Sequence, residues 1–270
     1  MTPARPHRHP NLPVALTIAG ADSGGGAGIS ADLKTFAALG VHGASAITCL
    51  TAQNPRRVFA VEPCSPKMLR QQLEAVFKEL PPAAVKTGML FSAANVRVVA
   101  DFLKKRKPRP PLVVDPVLVS TSGAKLLQRD ALKVFTEQLL PLATLVTPNV
   151  SEAELLGGQK ISSLEDMAAA AERIHARWGC AVLVKGGHLQ SNQRATDIFF
   201  DGRLGFMLRA PWMKGVRTHG TGCVYSAAIC AGLAQGKTLP QAVKNGKDFV
   251  THAIAHSYRI GKHFALGIGA

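Results

Sequence analysis

VALTIAGADSGGGAGISADLKTFAALG, residues 14–40, decides the reading of the fold. It opens on a short apolar run, 14–19, breaks into a glycine-rich stretch, 20–28, and continues through 29–39 with apolar residues at helical spacing. Gly40 follows where a helix C-cap belongs. An apolar strand, a small-residue turn and a helix in that order make one unit of a parallel sheet. The unit recurs along the chain. Apolar runs at 44–49, 84–87, 112–115, 144–147 and 181–185 each lead into Gly, Pro or Asn, and helical periodicity marks 66–79, 93–105, 130–139 and 164–178. The expected class is α/β: a three-layer α/β/α sandwich with a mostly parallel central sheet covered by helices on both faces. Two departures refine it. Runs at 196–200 and 203–208 flank Asp201-Gly202, a two-residue hairpin signal, and 223–235 and 239–258 read as two closing helices. No linker or repeat divides the chain, so 14–270 is expected as one domain behind a flexible, basic, Pro-rich tail, 1–13.

Composition narrows the partners less than it narrows the fold. Apolar residues at 47% and charged residues at 18% give an ordinary globular balance without a disorder signature. The 32 Lys and Arg outnumber 17 Asp and Glu, for a net charge of +15. That surplus suits a nucleic-acid binder, an anionic-lipid binder or an enzyme that uses nucleotides. The basic run 104–109 contains no interleaved aromatic residue, and only 6% of the chain is aromatic, so base stacking is poorly supported and no nucleic-acid partner is expected. Cys49, Cys64, Cys180, Cys223 and Cys230 form no CxxC pair and are odd in number, which argues against a disulfide framework or zinc site and for a reducing, cytoplasmic setting. No apolar run approaches the ~18 residues of a membrane span, and no membrane partner is expected.

Parallel sheets bind ligands at the carboxyl ends of their strands, so the loops there carry the functional reading. Gly26–Ala31 satisfies G-x-G-x-x-A, but the second strand ends in Thr51-Ala52-Gln53-Asn54 with no acid to hold a ribose. The stretch 232–238 ends in Lys-Thr but is one residue short of a P-loop and follows a helix. Both ready-made nucleotide motifs fail. What remains of the first loop is a small-residue turn with Asp22 and Asp32 nearby. Arg217-Thr218-His219-Gly220-Thr221-Gly222-Cys223 is more specific. Its glycines let successive N–H groups point into one concavity at a helix N-terminus, a setting for an anion, and Cys223 in the first turn is expected to gain thiolate character there. By residue type, Cys223 equally reads as a small core residue. Lys185 ends a strand and meets Gly186-Gly187-His188, which suits phosphate contact. Asn149 and Glu152 stand three residues apart at a helix start; ordinary capping accounts for them, and a water-mediated magnesium site is the functional alternative. Asp115, ending an apolar strand, is a further magnesium candidate.

These segments in this order resemble the ribokinase-like superfamily, and within it the hydroxymethylpyrimidine/phosphomethylpyrimidine kinases of thiamine biosynthesis. LTIAGADSGGGAGISADLKTFAALG, ITCLTAQN, KTGML, VVDPV, TPNVSEAELL, VLVKGGH and THGTGC carry the resemblance, which spans 14–261. It implies an ATP- and Mg²⁺-dependent kinase that phosphorylates a hydroxymethylpyrimidine and then its monophosphate. It implies a pyrimidine pocket of Gly20, Ala27, Asp32, Gln53, Met89 and Val117, in which Asp32 and Gln53 read the ring by hydrogen bonds. Gly220, Thr221 and Gly222 would form the anion hole, Lys185 would bridge the phosphates, and Cys223 would stand where many relatives carry an Asp base. Asp115, Asn149 and Glu152 would hold magnesium, partly through water, with Thr147 beside them at the ATP site. A homodimer is implied as well. The nearest rival is a cysteine-type pyridoxal/pyridoxine kinase of the same superfamily. The chain departs from the family pattern at Pro55, at Pro116-Val117-Leu118-Val119 and in its GKHFALGIGA end.

Overall fold

The opening unit folds as β1 (Val14–Asp22) and α1 (Gly28–Ala38), with Gly40 at φ +69° just past the helix as its C-terminal glycine. The computed structural model describes residues 11–118, 129–187, 194–213 and 219–269. Most of the basic tail, together with Val119, His188, Arg217 and Thr218, lies outside them. The chain continues through β2 (His42–Asn54), β3 (Arg57–Pro63), α2 (Pro66–Glu79), β4 (Ala84–Thr87), α3 (Ala93–Lys104) and β5 (Leu112–Val114). Next come α4 (Arg129–Val134), β6 (Leu145–Val146), α5 (Val150–Gly157), α6 (Leu164–Trp178) and β7 (Ala181–Lys185). It closes with β8 (Arg194–Phe200), β9 (Gly205–Pro211), α7 (Thr221–Ala234), α8 (Leu239–Ala255) and a small ribbon of β10 (Tyr258–Ile260) and β11 (His263–Ala265).

The central sheet runs β3-β2-β1-β4-β5-β6-β7-β8-β9. Pairing from β2 through β7 is parallel, while β3 at one edge and β8 and β9 at the other are antiparallel. Because side chains alternate along a strand, each inner strand feeds two cores. Leu16, Ile18, Leu112, Val114, Val182 and Val184 pack with α2, α3 and α6, whereas Ala15, Val113, Leu145, Ala181 and Leu183 pack with α1, α7 and α8. This is the expected α/β/α sandwich.

Four expectations change in detail. β2 runs past the expected end at Cys49 to Asn54 and returns as β3, an antiparallel ribbon turned by Asn54, whose Oδ1 accepts from Arg56 and Arg57. Ribbon residues are half-exposed, so they lack the apolar run that marks an inner strand. The β8–β9 hairpin exists, but its loop is Asp201–Leu204, closed by Asp201 Oδ1 accepting from Arg203 and Leu204. The stretch expected as helix 130–139 passes from α4 into a π-helical turn at Phe135–Leu139. The last helix ends at Ala255, and Tyr258 belongs to β10.

Candidate active site

Two helix N-termini meet at the glycine turns. Gly220 is the N-cap of α7 at φ +83°, a left-handed conformation that suits glycine, and a Cβ there would drive into the Gly26 carbonyl. No side chain caps α7 at that residue. The α1 N-terminus lies opposite: Ala27 is its N-cap, and the Gly28 backbone hydrogen-bonds the Cys223 thiol group. The loop between β1 and α1 is wound around Asp22, whose Oδ1 accepts from Gly24 and whose Oδ2 accepts from Gly26 and Ala27. Burial alone would raise the Asp22 pKa, but His219 and these amides outweigh it and hold the carboxyl below its usual range. His219 Nε2 lies 2.9 Å from Gln53 Nε2 and 3.5 Å from Asp22 Oδ2, so its ring ties the α7 turn to β2 and to the first loop.

Lys185, Asp115 and Gly222 come together beside this turn. Lys185 Nζ donates to Asp115 Oδ1 at 2.9 Å, and a Cβ on Gly222 would lie 3.1 Å from the same ammonium. Asp115 also accepts from Thr147 at 3.3 Å and from Ser226, on α7, at 3.2 Å. Burial would raise its pKa, yet Lys185 and Lys86 overcome that and keep it ionised. Lys185 itself is raised, because Asp115 and Glu152 outweigh its desolvation.

Asn149 and Glu152 form a reciprocal capping box on α5: Glu152 Oε2 accepts from Asn149 N and Asn149 Oδ1 accepts from Glu152 N. Glu152 Oε1 accepts from Leu118 N, so the carboxylate also anchors the segment after β5. That segment carries Val117 at φ +46°, a conformation a β-branched residue holds only when its surroundings impose it. Burial pushes the Glu152 pKa up against the pull of Lys185. Every carboxylate oxygen of Asp115 and Glu152 is already engaged, though each keeps lone-pair capacity. The donor set therefore fits a hydrated Mg²⁺ held through water rather than a directly chelated ion.

Two expectations meet a different geometry. Asp32 was expected at a ring amine, but it is fully buried, accepting from Lys86 Nζ at 2.7 Å on both oxygens and from Thr17 Oγ1 at 2.6 Å. Its hydrogen-bonding capacity faces inward. Cys223 was expected to gain thiolate character, whereas burial of the thiol pushes its pKa up to about 11, against the opposing pull of Lys86 and the Gly28 amide. Of the other residues expected at the pocket, Gly20 neighbours Met89, Ala27 is the α1 N-cap, Gln53 stands near the end of β2 and Val117 follows β5. A Cβ on Gly20 would lie 2.8 Å from Cys49 Sγ and 3.6 Å from Met89 Sδ, and Gln53 exchanges two 2.8 Å hydrogen bonds with Ser23.

Sequence reasoning missed Lys86 and Ser226. Lys86 had a signal: a lysine inside the apolar strand 84–87 must have a buried anion. Ser226 had none, since serine in a small-residue helix is unremarkable in sequence.

A mostly parallel sheet between two helical layers, with paired helix N-termini, a strand-end lysine and a buried aspartate at its carboxyl edge, defines a ribokinase-like kinase. A family model described as phosphomethylpyrimidine kinase matches residues 22–266. A hydroxymethylpyrimidine/phosphomethylpyrimidine kinase of Rhizobium meliloti is 51% identical over 248 residues, covering 92% of each chain. Among solved structures, the ADP complex of Bacillus subtilis pyridoxal kinase superposes with a TM-score of 0.89 at 36% identity, over 96% of this chain and 98% of that one. A phosphomethylpyrimidine kinase of Clostridium difficile gives 0.79 at 43% identity, over 90% and 99%. The chain belongs to the phosphomethylpyrimidine kinase family and is a phosphotransferase that uses ATP.

Proposed function

We propose that the protein transfers the γ-phosphoryl group of ATP to the hydroxymethyl oxygen of 4-amino-5-hydroxymethyl-2-methylpyrimidine and then to the resulting monophosphate, giving the diphosphate used in thiamine diphosphate biosynthesis. The observation that carries this reading is the meeting of the α1 and α7 N-termini beside the Lys185–Asp115 pair, at the carboxyl edge of the sheet. The backbone amides of Gly220, Thr221 and Gly222 face the transferring phosphoryl, and Lys185 spans donor and acceptor oxygens. Asp115, Asn149 and Glu152 would hold magnesium through water, with Thr147 supporting Asp115, and the ion would supply neutralisation of phosphate charge.

Phosphoryl transfer has a loose transition state, so positioning and charge supply most of the rate. In the first step the acceptor oxygen bonds to phosphorus, the bond to the leaving ADP oxygen breaks, and the alcohol proton must leave. Cys223 accepts that proton in its thiolate form, which Lys86 and the Gly28 amide favour and burial opposes. The second step starts from an anionic phosphate and needs no such base. Gly20, Ala27, Gln53, Met89 and Val117 form the pyrimidine pocket, and Asp32 supports it from within through Lys86.

The protein works as a single kinase domain over 14–270, in the cytoplasm, with ATP and a small pyrimidine as its partners. It pairs as a homodimer through the β2–β3 ribbon, which exposes Leu50 at 57% and Phe59 at 56%. Among the described residues no helix is long and apolar enough to cross a membrane. A second reading, pyridoxal kinase, is favoured by the overlap with the Bacillus subtilis enzyme. Competition between the aminopyrimidine and pyridoxal with Mg-ATP, read by mass of the products, separates the two. The pyrimidine mono- and diphosphates are expected to dominate, and preferential formation of pyridoxal phosphate would overturn the proposal.

A further inference from the structure

Residues 185–187 carry the cation assigned above to the phosphates, and what fixes that turn lies far from it in sequence. Gly186 N donates to Asp197 Oδ1, on β8, at 3.0 Å. Asp197 Oδ2 in turn accepts from Lys247 Nζ, on α8, at 2.7 Å, and Lys247 also donates to Ala195 O at 3.1 Å. The two side chains are 8% and 4% exposed, so the pair sits out of water and each partner depends on the other. Gly186 leaves no room for a side chain: a Cβ there would strike the Thr196 carbonyl and come within 2.7 Å of Met167 Cε. Lys247 is delivered by close helix packing, since a Cβ on the preceding Gly246 would meet Ile229 Cγ1 of α7 at 2.7 Å.

Consecutive residues of one turn are thus held from opposite sides. The Lys185 side chain is drawn to Asp115, and the Gly186 amide is drawn to Asp197. Neither Lys247 nor Asp197 is among the residues assigned above to the phosphates or the pyrimidine. Yet α8 is locked by Lys247 to the hairpin behind Lys185 and packs at Gly246 against the helix that bears Gly220–Cys223.

We infer that Lys247 is a positioning residue for ATP, acting through Asp197 on the Gly186 amide to fix where Lys185 presents its ammonium. The inference rests on the assignment of Lys185 to the phosphates.

The test compares Lys247→Met, Lys247→Arg, Lys247→Met/Asp197→Leu and Lys185→Met, using full-length protein. Steady-state kinetics give KM for ATP and for the pyrimidine separately, calorimetry gives ADP affinity, and thermal melting reports folding. Lys247→Met is expected to raise the ATP KM and weaken ADP about tenfold while the pyrimidine KM stays within about twofold, and Lys247→Arg to recover most of the loss. The double variant removes the unpaired buried charge, so it regains melting temperature while its ATP KM stays raised. An unchanged ATP KM in the folded double variant overturns the inference, as does a parallel rise in both KM values. If Lys185→Met impairs ATP use and the Lys247 variants do not, this inference alone fails. If Lys185→Met leaves turnover and ATP KM intact, the assignment of Lys185 fails and this inference falls with it.

Discussion

Lys86 Nζ lies 2.7 Å from Asp32 Oδ1 with both side chains at 0% exposure, a sealed ion pair between β4 and α1. Burial disfavours the Lys86 charge, but Asp32 outweighs it and the ammonium stays protonated. Lys86→Met should cost about 3–5 kcal/mol in chemical denaturation by stranding a buried carboxylate, and Lys86→Met/Asp32→Leu should recover most of it. The pair also bears on the proposed pyrimidine pocket. With Asp32 facing inward, Lys86→Met/Asp32→Asn keeps its pyrimidine KM within about threefold of wild type. A much larger rise would put Asp32 in direct contact with the ring after all.

Gly220 and Gly222 separate folding from chemistry within one turn. Gly220→Ala places a Cβ at φ +83° and into the Gly26 carbonyl, so it should lower the melting temperature as well as activity. Gly222→Ala comes closest to the Lys185 ammonium, at 3.1 Å, the far end of a flexible side chain, with Asp115 Oδ2 at an ordinary 3.8 Å. It should leave the melting temperature within a few degrees and lower kcat about tenfold to hundredfold by displacing that charge. Equal thermal losses in both variants would contradict this division.

The parts of the fold that were legible in the sequence are those where local pattern and tertiary environment agree. Inner strands such as β1 and β7 are apolar on both faces, and α6 carries Ser163 and Asp166 as a capping box before its apolar stripe. The β2–β3 ribbon was not legible, because its exposed residues alternate too weakly to mark a strand. The site divides along the same line. Glycine spacing exposes a backbone cradle, so Gly220–Gly222 could be found, whereas burial and long-range pairing leave no local trace. That is why the inward turn of Asp32 and the raised Cys223 pKa emerge only from the three-dimensional arrangement.

Cys223 should be a slow nucleophile in the free enzyme. Its folded pKa of about 11 lies above the ordinary thiol value, so thiolate is scarce at neutral pH. Alkylation by iodoacetamide, followed by peptide mass spectrometry, is expected to accelerate steadily from pH 8 toward about 11. The stability consequence has a fixed sign. A thiol pKa raised by folding stabilises the native state below the unfolded value and loses that contribution as pH rises through about 11. Cys223→Ala should therefore flatten the alkaline limb of the stability profile. It should also slow transfer to the alcohol more than transfer to the phosphate, and equal losses in both steps would remove the base role.

Lys185 and Asp115 combine a structural pair with a chemical one, and the two can be pulled apart. Lys185→Met leaves Asp115 with Thr147, Ser226 and the charge of Lys86, and its carboxyl pKa moves upward as Lys185 is lost. Stability should fall by about 3–5 kcal/mol, and turnover should fall about a hundredfold or more because the transferring phosphoryl loses its cation. Lys185→Met/Asp115→Asn removes both charges while keeping a side-chain acceptor for Ser226. It should regain most of the stability in denaturant titrations without regaining turnover. Because Asp115 is held ionised by Lys185, acid should destabilise wild type as pH falls through the depressed Asp115 pKa, and the double variant should lack that contribution. Recovery of turnover together with stability would show that the pair serves the fold alone, and the cation at the phosphates would have to be sought elsewhere.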